Sequence, residues 1–248
     1  MMHQVRPDYT VVNTLSARVH QSPKPTFAAA NWGDLAPKLP TYEQLRARNL
    51  GNKVVHHRSS WVNRIRQGSI DAFIKTYEYG SWSDRLGNWG RWTAPHRHSR
   101  AAREWLALTW LNDHDLPTAK PLACWESRRF GFVQHASILT AAFDGEAADQ
   151  VLANANETNR CALAKAIGSF VVRLHSKGFR DRNLDLRNLL VRQNNEQITI
   201  AKIDSPRFRL VRPGPQKDRL TEADWQRLLP QLAKFDVADL ASQARNAK

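Results

Sequence analysis

The sequence predicts an α+β fold in two parts, a small β-rich first part and a reduced helical second part. Three observations carry this. Strand periodicity runs from Lys53 to Tyr79. Two more strand patterns, Leu122–Arg128 and Gly131–Ile138, follow one helix. Beyond residue 139 the pattern turns helical, and an apolar stripe leads into Leu174–Val191, LHSKGFRDRNLDLRNLLV. The expected divisions are an extension over 1–50, a β-rich part over 51–138 and a helical part over 139–248.

Residues 1–50 have weak periodicity and four prolines, Pro23, Pro25, Pro37 and Pro40. They read as irregular, with a short helix near Tyr42–Asn49. The segments 53–66 and 69–79 read as a hairpin around Gln67-Gly68. In its second strand Phe73, Lys75 and Tyr77 share one face. Residues 80–98 are rich in Gly, Trp and Arg and read as a long loop, with Trp82, Trp89 and Trp92 either forming a contact surface or packing inward. Ser99 suits an N-cap for a helix to Leu111, with Trp105, Leu108 and Leu111 on its apolar side.

The second part starts with a short helix near Glu146–Leu152. A longer one, Thr158–Lys177, carries Leu163, Ile167, Phe170, Val171 and Leu174. Gly178 stops it. A polar loop with Asp181, Asn183, Asp185 and Asn188 follows, then the strand Leu189–Arg192, the turn Asn194-Asn195 and the strand Gln197–Ile203. Thr221 and Asp224 read as a capping box for a last helix, Glu222–Phe235, that Pro230 bends or splits.

Composition narrows the function classes. The 248 residues are 42% hydrophobic and 9% aromatic, which is globular rather than disordered. Lys and Arg outnumber Asp and Glu by 37 to 23, a formal charge of +14, which points to an anionic partner such as a nucleotide, a nucleic acid, a phosphorylated glycolipid or a membrane face. Two distant cysteines, Cys124 and Cys161, make neither a disulfide framework nor a zinc site. The histidines show no ligand spacing, and His175 at the helix end reads as structural. The N-terminus has no long apolar core of a secretory signal, and no apolar run approaches membrane-spanning length. The expectation is a soluble or peripheral protein in a reducing cytoplasm.

The polar residues fall in an order that suits phosphoryl transfer. That chemistry needs a cation on the nucleotide phosphates, oxygen ligands for a magnesium ion and a carboxylate near the acceptor hydroxyl. Lys75, on a strand, supplies the cation, and Glu104, in the next helix, orients it. Asn188 and Asp204, the latter in AKIDSPRF, supply oxygen ligands for Mg2+.

Leu174–Val191 lies without a gap on the pattern LHSKGxxHRDLKxxNLLL of protein-kinase-like enzymes. With the downstream Ile-Asp lacking Phe-Gly, it resembles the lipopolysaccharide kinase (Kdo/WaaP) family of bacteria, over roughly residues 53–205. The resemblance implies a compact bilobal protein-kinase-like fold. It also implies ATP and Mg2+ as cofactors, and transfer of phosphate to a sugar hydroxyl of the lipopolysaccharide core at the cytoplasmic face of the inner membrane.

Two departures from the pattern stand out. Asp181 occupies the usual His position, Asn183 that of the catalytic aspartate, and Asp185 that of the usual Lys. An amide takes up no proton at neutral pH, so Asn183 is no general base. Asp185 is favoured because the loop length to Asn188 is preserved. Asp181 serves if the loop carries two extra residues, and a pseudokinase scaffold is the remaining reading. The second departure is the missing glycine-rich loop, for which Arg58, Arg64 or Arg66 are candidate substitutes. Outside the kinase class, the charge and the Trp/Arg-rich segment 80–98 suit a single-strand nucleic-acid binder.

Overall fold

The computed structural model describes residues 23–57, 59–194 and 197–246. The reading of the extreme N-terminus, Arg58 and the Asn195 half of the predicted turn lie outside the described residues. The chain forms two compact units. One holds the described residues up to Trp105 together with Lys120–Ala142, and the other holds Leu106–Ala119 and Phe143 onward.

The first unit is built on an antiparallel sheet. Its elements are β1 (Phe27–Ala28), the short helices α1 (Trp32–Leu35) and α2 (Tyr42–Leu45), β2 (Asn52–His56), β3 (Ser60–Gln67), β4 (Ile70–Glu78), α3 (Trp82–Gly87), the start of α4 (Arg100–Asp113), β5 (Pro121–Arg129) and β6 (Phe132–Ala141). Strand order is β1-β5-β6-β4-β3-β2. The hairpin is present with its turn one residue later than expected. Gln67 pairs with Ile70, so Gly68-Ser69 makes the turn, and Gly68 takes a left-handed φ of 57°. The stretch before it divides into β2 and β3 rather than one strand.

One face of the sheet carries the core. Ala72 and Ile74 of β4 pack there with Ile65, Leu122, Trp125 and Leu139. Leu39, Tyr42 and Leu45 complete this cluster, so residues expected to be an irregular extension are folded against the sheet. Thr41 and Gln44 form a reciprocal capping box that starts α2. Elements of two to four residues leave almost no period, and α2 alone shows in the sequence pattern, within the short helix expected near Tyr42–Asn49. Phe73, Lys75 and Tyr77 alternate to the other face.

Residues 80–98 are not a loop throughout. Ser81 caps α3 through the backbone N–H of Asp84, and a π-helical turn follows over Trp89–Thr93. The Ser-x-x-Asp box was readable in the sequence; the glycines and tryptophans around it hid the helix. Ser99 does cap α4, accepting from the Ala102 amide at 3.1 Å, and Trp105, Leu108 and Leu111 are buried.

The second unit holds the rest of α4, β7 (Glu146–Ala147), α5 (Ala148–Asn154), α6 (Glu157–Ser176), β8 (Phe179–Asp181), β9 (Leu189–Asn194), β10 (Gln197–Lys202), β11 (Phe208–Leu210), α7 (Pro215–Ala233) and α8 (Ala238–Asn246). Asn156 caps α6, and its predicted apolar stripe is buried. Gly168 lets α6 touch α8, since a Cβ there would meet the Ala241 carbonyl oxygen at 2.3 Å. Gly178 ends α6 at a φ of 88°. The final helix differs from expectation: α7 starts at Pro215 after Gly214, so Thr221 lies inside it and Asp224 is not a cap. Pro at the first helical position is a start signal, stronger here than the Thr-x-x-Asp pattern. Pro230 is accommodated within α7, and α8 follows it. No helix among the described residues is long and apolar enough to cross a membrane.

Candidate active site

In the first unit the sequence-predicted cation is held as a pair. The Lys75 Nζ donates to the Glu104 Oε2 at 3.2 Å, and the Tyr77 hydroxyl donates to the same oxygen at 3.2 Å. Alternation on β4 puts Lys75 and Tyr77 on one face, and the first turns of α4 present Glu104 to both. The Glu104 side chain is nearly sealed at 6% exposure, whereas Lys75 keeps 19%. Of the arginines considered for covering phosphates, the two among the described residues, Arg64 and Arg66, are occupied otherwise. Arg64 makes a bidentate contact to Asp71 at 2.8 and 2.6 Å, and Arg66 reaches the same carboxylate at 3.4 Å. The Arg64 guanidinium holds the Asp71 carboxyl below its ordinary value.

The second unit contains the other five predicted residues, and their side chains have separate tasks. Asp181 is fully buried. One oxygen pairs with the Lys202 Nζ at 2.8 Å and accepts from the Ser205 hydroxyl at 2.9 Å; the other accepts from the Asn183 amide at 2.9 Å. The Lys202 side chain is as sealed as its partner, at 0% each. Its ammonium also donates to the backbone carbonyls of Asn183 and Ile203. An ammonium has three donors and no acceptor, so this set uses it fully.

Asn183 turns its amide nitrogen toward Asp204, donating to the backbone oxygen and to Oδ2, each at 2.8 Å. Asp204 sits at a left-handed φ of 53°, held there by that contact. The Asn188 amide nitrogen donates to the Asn183 carbonyl at 3.0 Å, which turns its own carbonyl oxygen away. The Ile203 amide donates to the Asn188 backbone oxygen at 3.0 Å, so Asn188 and Asp204 are neighbours where β9 and β10 diverge. Asp185 is joined to Asn183 and Asn188 through its backbone, but its side chain has a different partner. Its Oδ1 accepts from Gln231 of α7 at 2.9 Å, and Gln231 also accepts from the Leu186 amide.

Beneath the loop, buried Asp224 accepts from the Asp181 amide at 3.1 Å and contacts the His175 Nε2 at 3.0 Å. Burial lowers the His175 pKa despite the opposing pull of Asp224, which leaves a neutral ring donating from Nε2. Lys202, Ser205 and Gln231 went unseen in the sequence reading, and Asp224 was read only as a helix cap. Lys202 had a signal, since it continues the face of Ile198 and Ile200 on β10, where a charge must find a partner. Asp224 and Gln231 reach the loop from 43 and 46 residues away, which no local pattern shows. No group of three or more His, Cys, Asp or Glu side chains is placed to hold a metal among the described residues.

Residues 57–243 match the lipopolysaccharide kinase (Kdo/WaaP) family. The chain belongs to that family. A solved structure described as WaaP in complex with acyl carrier protein is similar over 79% of this chain and 86% of that one, with a TM-score of 0.53 and 16% identity. That likeness gives the fold, which is protein-kinase-like. No curated protein matches the chain. Membership makes the protein a kinase of the lipopolysaccharide type, and Leu174–Val191 lies within the matched span.

Proposed function

We propose that this family member transfers the γ-phosphate of ATP to a sugar hydroxyl of an anionic glycolipid, with Mg2+. The observation that carries the reading is the Lys75–Glu104 pair, a strand lysine fixed by a sealed helix glutamate yet itself part-exposed. Such a lysine can neutralise nucleotide phosphates without first being positioned. The residues present also fit a magnesium ion. A hard cation held partly by phosphate needs only one or two protein oxygens, and the Asn188 carbonyl and the Asp204 carboxylate are of that kind. Bound Mg-ATP supplies the phosphoryl group and the charge neutralisation.

The protein's own contribution is placement and proton handling. Asp181 has both oxygens engaged and no exposed surface, so it suits holding the loop rather than meeting an acceptor. Asn183 carries no usable basicity and orients Asp204. Asp185 is the carboxylate left to take the acceptor proton, oriented by Gln231. The bacterial setting, the cytoplasmic location and an acceptor at the inner-membrane face belong to the same proposal. A second reading has one observation in its favour: Asn183 spends its amide on the Asp204 carboxylate, as it would in a pseudokinase scaffold.

The test is ADP release from Mg-ATP with a lipopolysaccharide-core acceptor. Loss of turnover in Asp185→Asn with nucleotide binding retained supports the kinase reading. Turnover and nucleotide affinity that survive both Lys75→Ala and Asp204→Ala overturn it. Nucleotide binding with no transfer in the wild type selects the scaffold.

A further inference from the structure

Seven large apolar side chains are strongly exposed among the described residues, and four of them lie around one corner of the first unit. Trp82 and Leu86, four residues apart on α3, are 54% and 61% exposed. Trp89 in the π-helical turn is 41% exposed, and Phe130 at the β5–β6 turn is 76% exposed. They form one neighbourhood. Trp82 and Trp89 both rest on Phe132, with ring centroids 5.4 and 4.8 Å away. Arg128 ties the turn to the chain after the π-helical segment, donating to the carbonyls of Gly131, Pro95 and Arg97.

Phe130 is held in a conformation that its side chain disfavours. Arg129 pairs with Phe132, so Phe130 and Gly131 form a two-residue turn, both left-handed at φ 51° and 81°. Asn, Asp or Gly suits the first position; a bulky ring there is strained. At 76% exposure the Phe130 ring adds little to the core, and strain kept at an exposed apolar residue points outward to a ligand.

The exposed charges around these groups are mostly positive. Arg91, Arg97 and Arg129 are exposed. The nearby carboxylates are occupied locally, Asp84 by the Ser81 cap and Glu126 by Arg128 and the Ser99 amide. Exposed Trp, Leu and Phe flanked by arginine is the chemistry of a bilayer interface, with rings at headgroup depth and cations on lipid phosphates. A nucleic-acid platform fits less well. Base stacking needs bare ring faces, but the Arg85 guanidinium lies over Trp82 at 5.0 Å and that of Arg129 over Phe130 at 5.4 Å. Leu86, second most exposed of the four, has no ring.

We propose that Trp82, Leu86, Trp89 and Phe130, with Arg91, Arg97 and Arg129, dock the protein on an anionic phospholipid surface. None of these residues belongs to the phosphoryl-transfer set, so docking and kinase chemistry fail separately.

The experiment is co-sedimentation of the full chain with phosphatidylcholine vesicles with and without phosphatidylglycerol. Nucleotide turnover on a soluble sugar acceptor and a thermal melt are measured beside it. The wild type binds the anionic vesicles and releases at high salt. Leu86→Ser/Phe130→Asn lowers partitioning about tenfold or more, as loss of two inserted side chains requires. Its melt stays at or above wild type, because Asn accepts the left-handed turn. Removing Arg91, Arg97 and Arg129 weakens binding about fivefold per residue at low salt. No binding to anionic vesicles at low salt overturns the proposal, and so does binding that ignores both variants. Binding of single-stranded nucleic acid instead of vesicles, lost in the same variants, overturns it in favour of the nucleic-acid surface.

Discussion

Two lysine–carboxylate pairs among the described residues are of the same chemistry and opposite character. Lys75 meets Glu104 at 3.2 Å with 19% of the lysine side chain exposed. Lys202 meets Asp181 at 2.8 Å with neither side chain exposed. The difference teaches that the same ion pair serves two ends. A part-exposed lysine can trade its carboxylate for a phosphate during turnover. A sealed lysine cannot, and its energy goes into fixing the backbone that it donates to. Sequence order alone made Lys75 a site residue and left Lys202 unnoticed, although the structure spends more on satisfying Lys202.

The largest effect expected from breaking this contrast is at the sealed pair. Lys202→Met leaves a buried carboxylate unpaired and should cost about 3–5 kcal/mol in chemical denaturation. Replacing both partners, Lys202→Met/Asp181→Leu, should recover most of that loss, because no charge remains unpaired. A single variant as stable as wild type would show that the pair is not what holds the loop.

The part-exposed pair should behave in the reverse way. Lys75→Ala should lower turnover about a hundredfold or more and destabilise less than Lys202→Met, because Glu104 keeps the Tyr77 hydroxyl while Lys75 itself is part-exposed. If stability falls as far as for Lys202→Met, the two pairs are alike after all.

Gln231→Leu probes the loop from α7. It removes hydrogen bonds to Asp185 and the Leu186 amide and should cost about 1 kcal/mol. Turnover should fall further than stability, since the carboxylate loses its orientation; kcat against KM, with an added pH profile, separates the two.

The smallest effect is one of pH, at the first unit's sheet. Burial, and then the Arg46 guanidinium, whose Nη1 lies 2.8 Å from the ring Nε2, push His135 down to about 4 from its ordinary 6.5. The folded protein therefore refuses a proton that the unfolded chain takes up. Stability from this source is intact above 6.5 and drains as pH falls from 6.5 toward 4. His135→Gln should flatten that part of the acid limb, by about 1 kcal/mol or less after solvent screening. Denaturant midpoints measured at pH 7 and pH 5 in both proteins check it.

Much of the fold was legible where the pattern is long. The β3–β4 hairpin, the α6 stripe and the strands around Asn188 and Asp204 each carry enough residues for a period to show. The packing of residues 27–45 was not legible, because elements this short are stabilised by Trp125 and Leu139 rather than by their own sequence. The site divides the same way. Its parts on one strand or loop were visible in order, from Lys75 to Asp204. Their assignment was not, because the task of Asp181 is decided by Lys202 and Ser205, and that of Asp185 by Gln231, all distant or unmarked. Asp181 has an arginine on either side in the chain, yet the structure gives it a lysine from the next hairpin.

The two-residue strand β1 has a consequence out of proportion to its length. It lies along β5, with Phe27 opposite Cys124, on what would otherwise be the open rim of the sheet. β5 runs for nine residues and begins with a fully buried stretch. A chain trimmed to begin at residue 51 would expose that rim with its backbone donors and acceptors unpaired, a template for strands of neighbouring molecules. Self-association on trimming is then the expected behaviour, and the N-terminal segment acts as a guard against it.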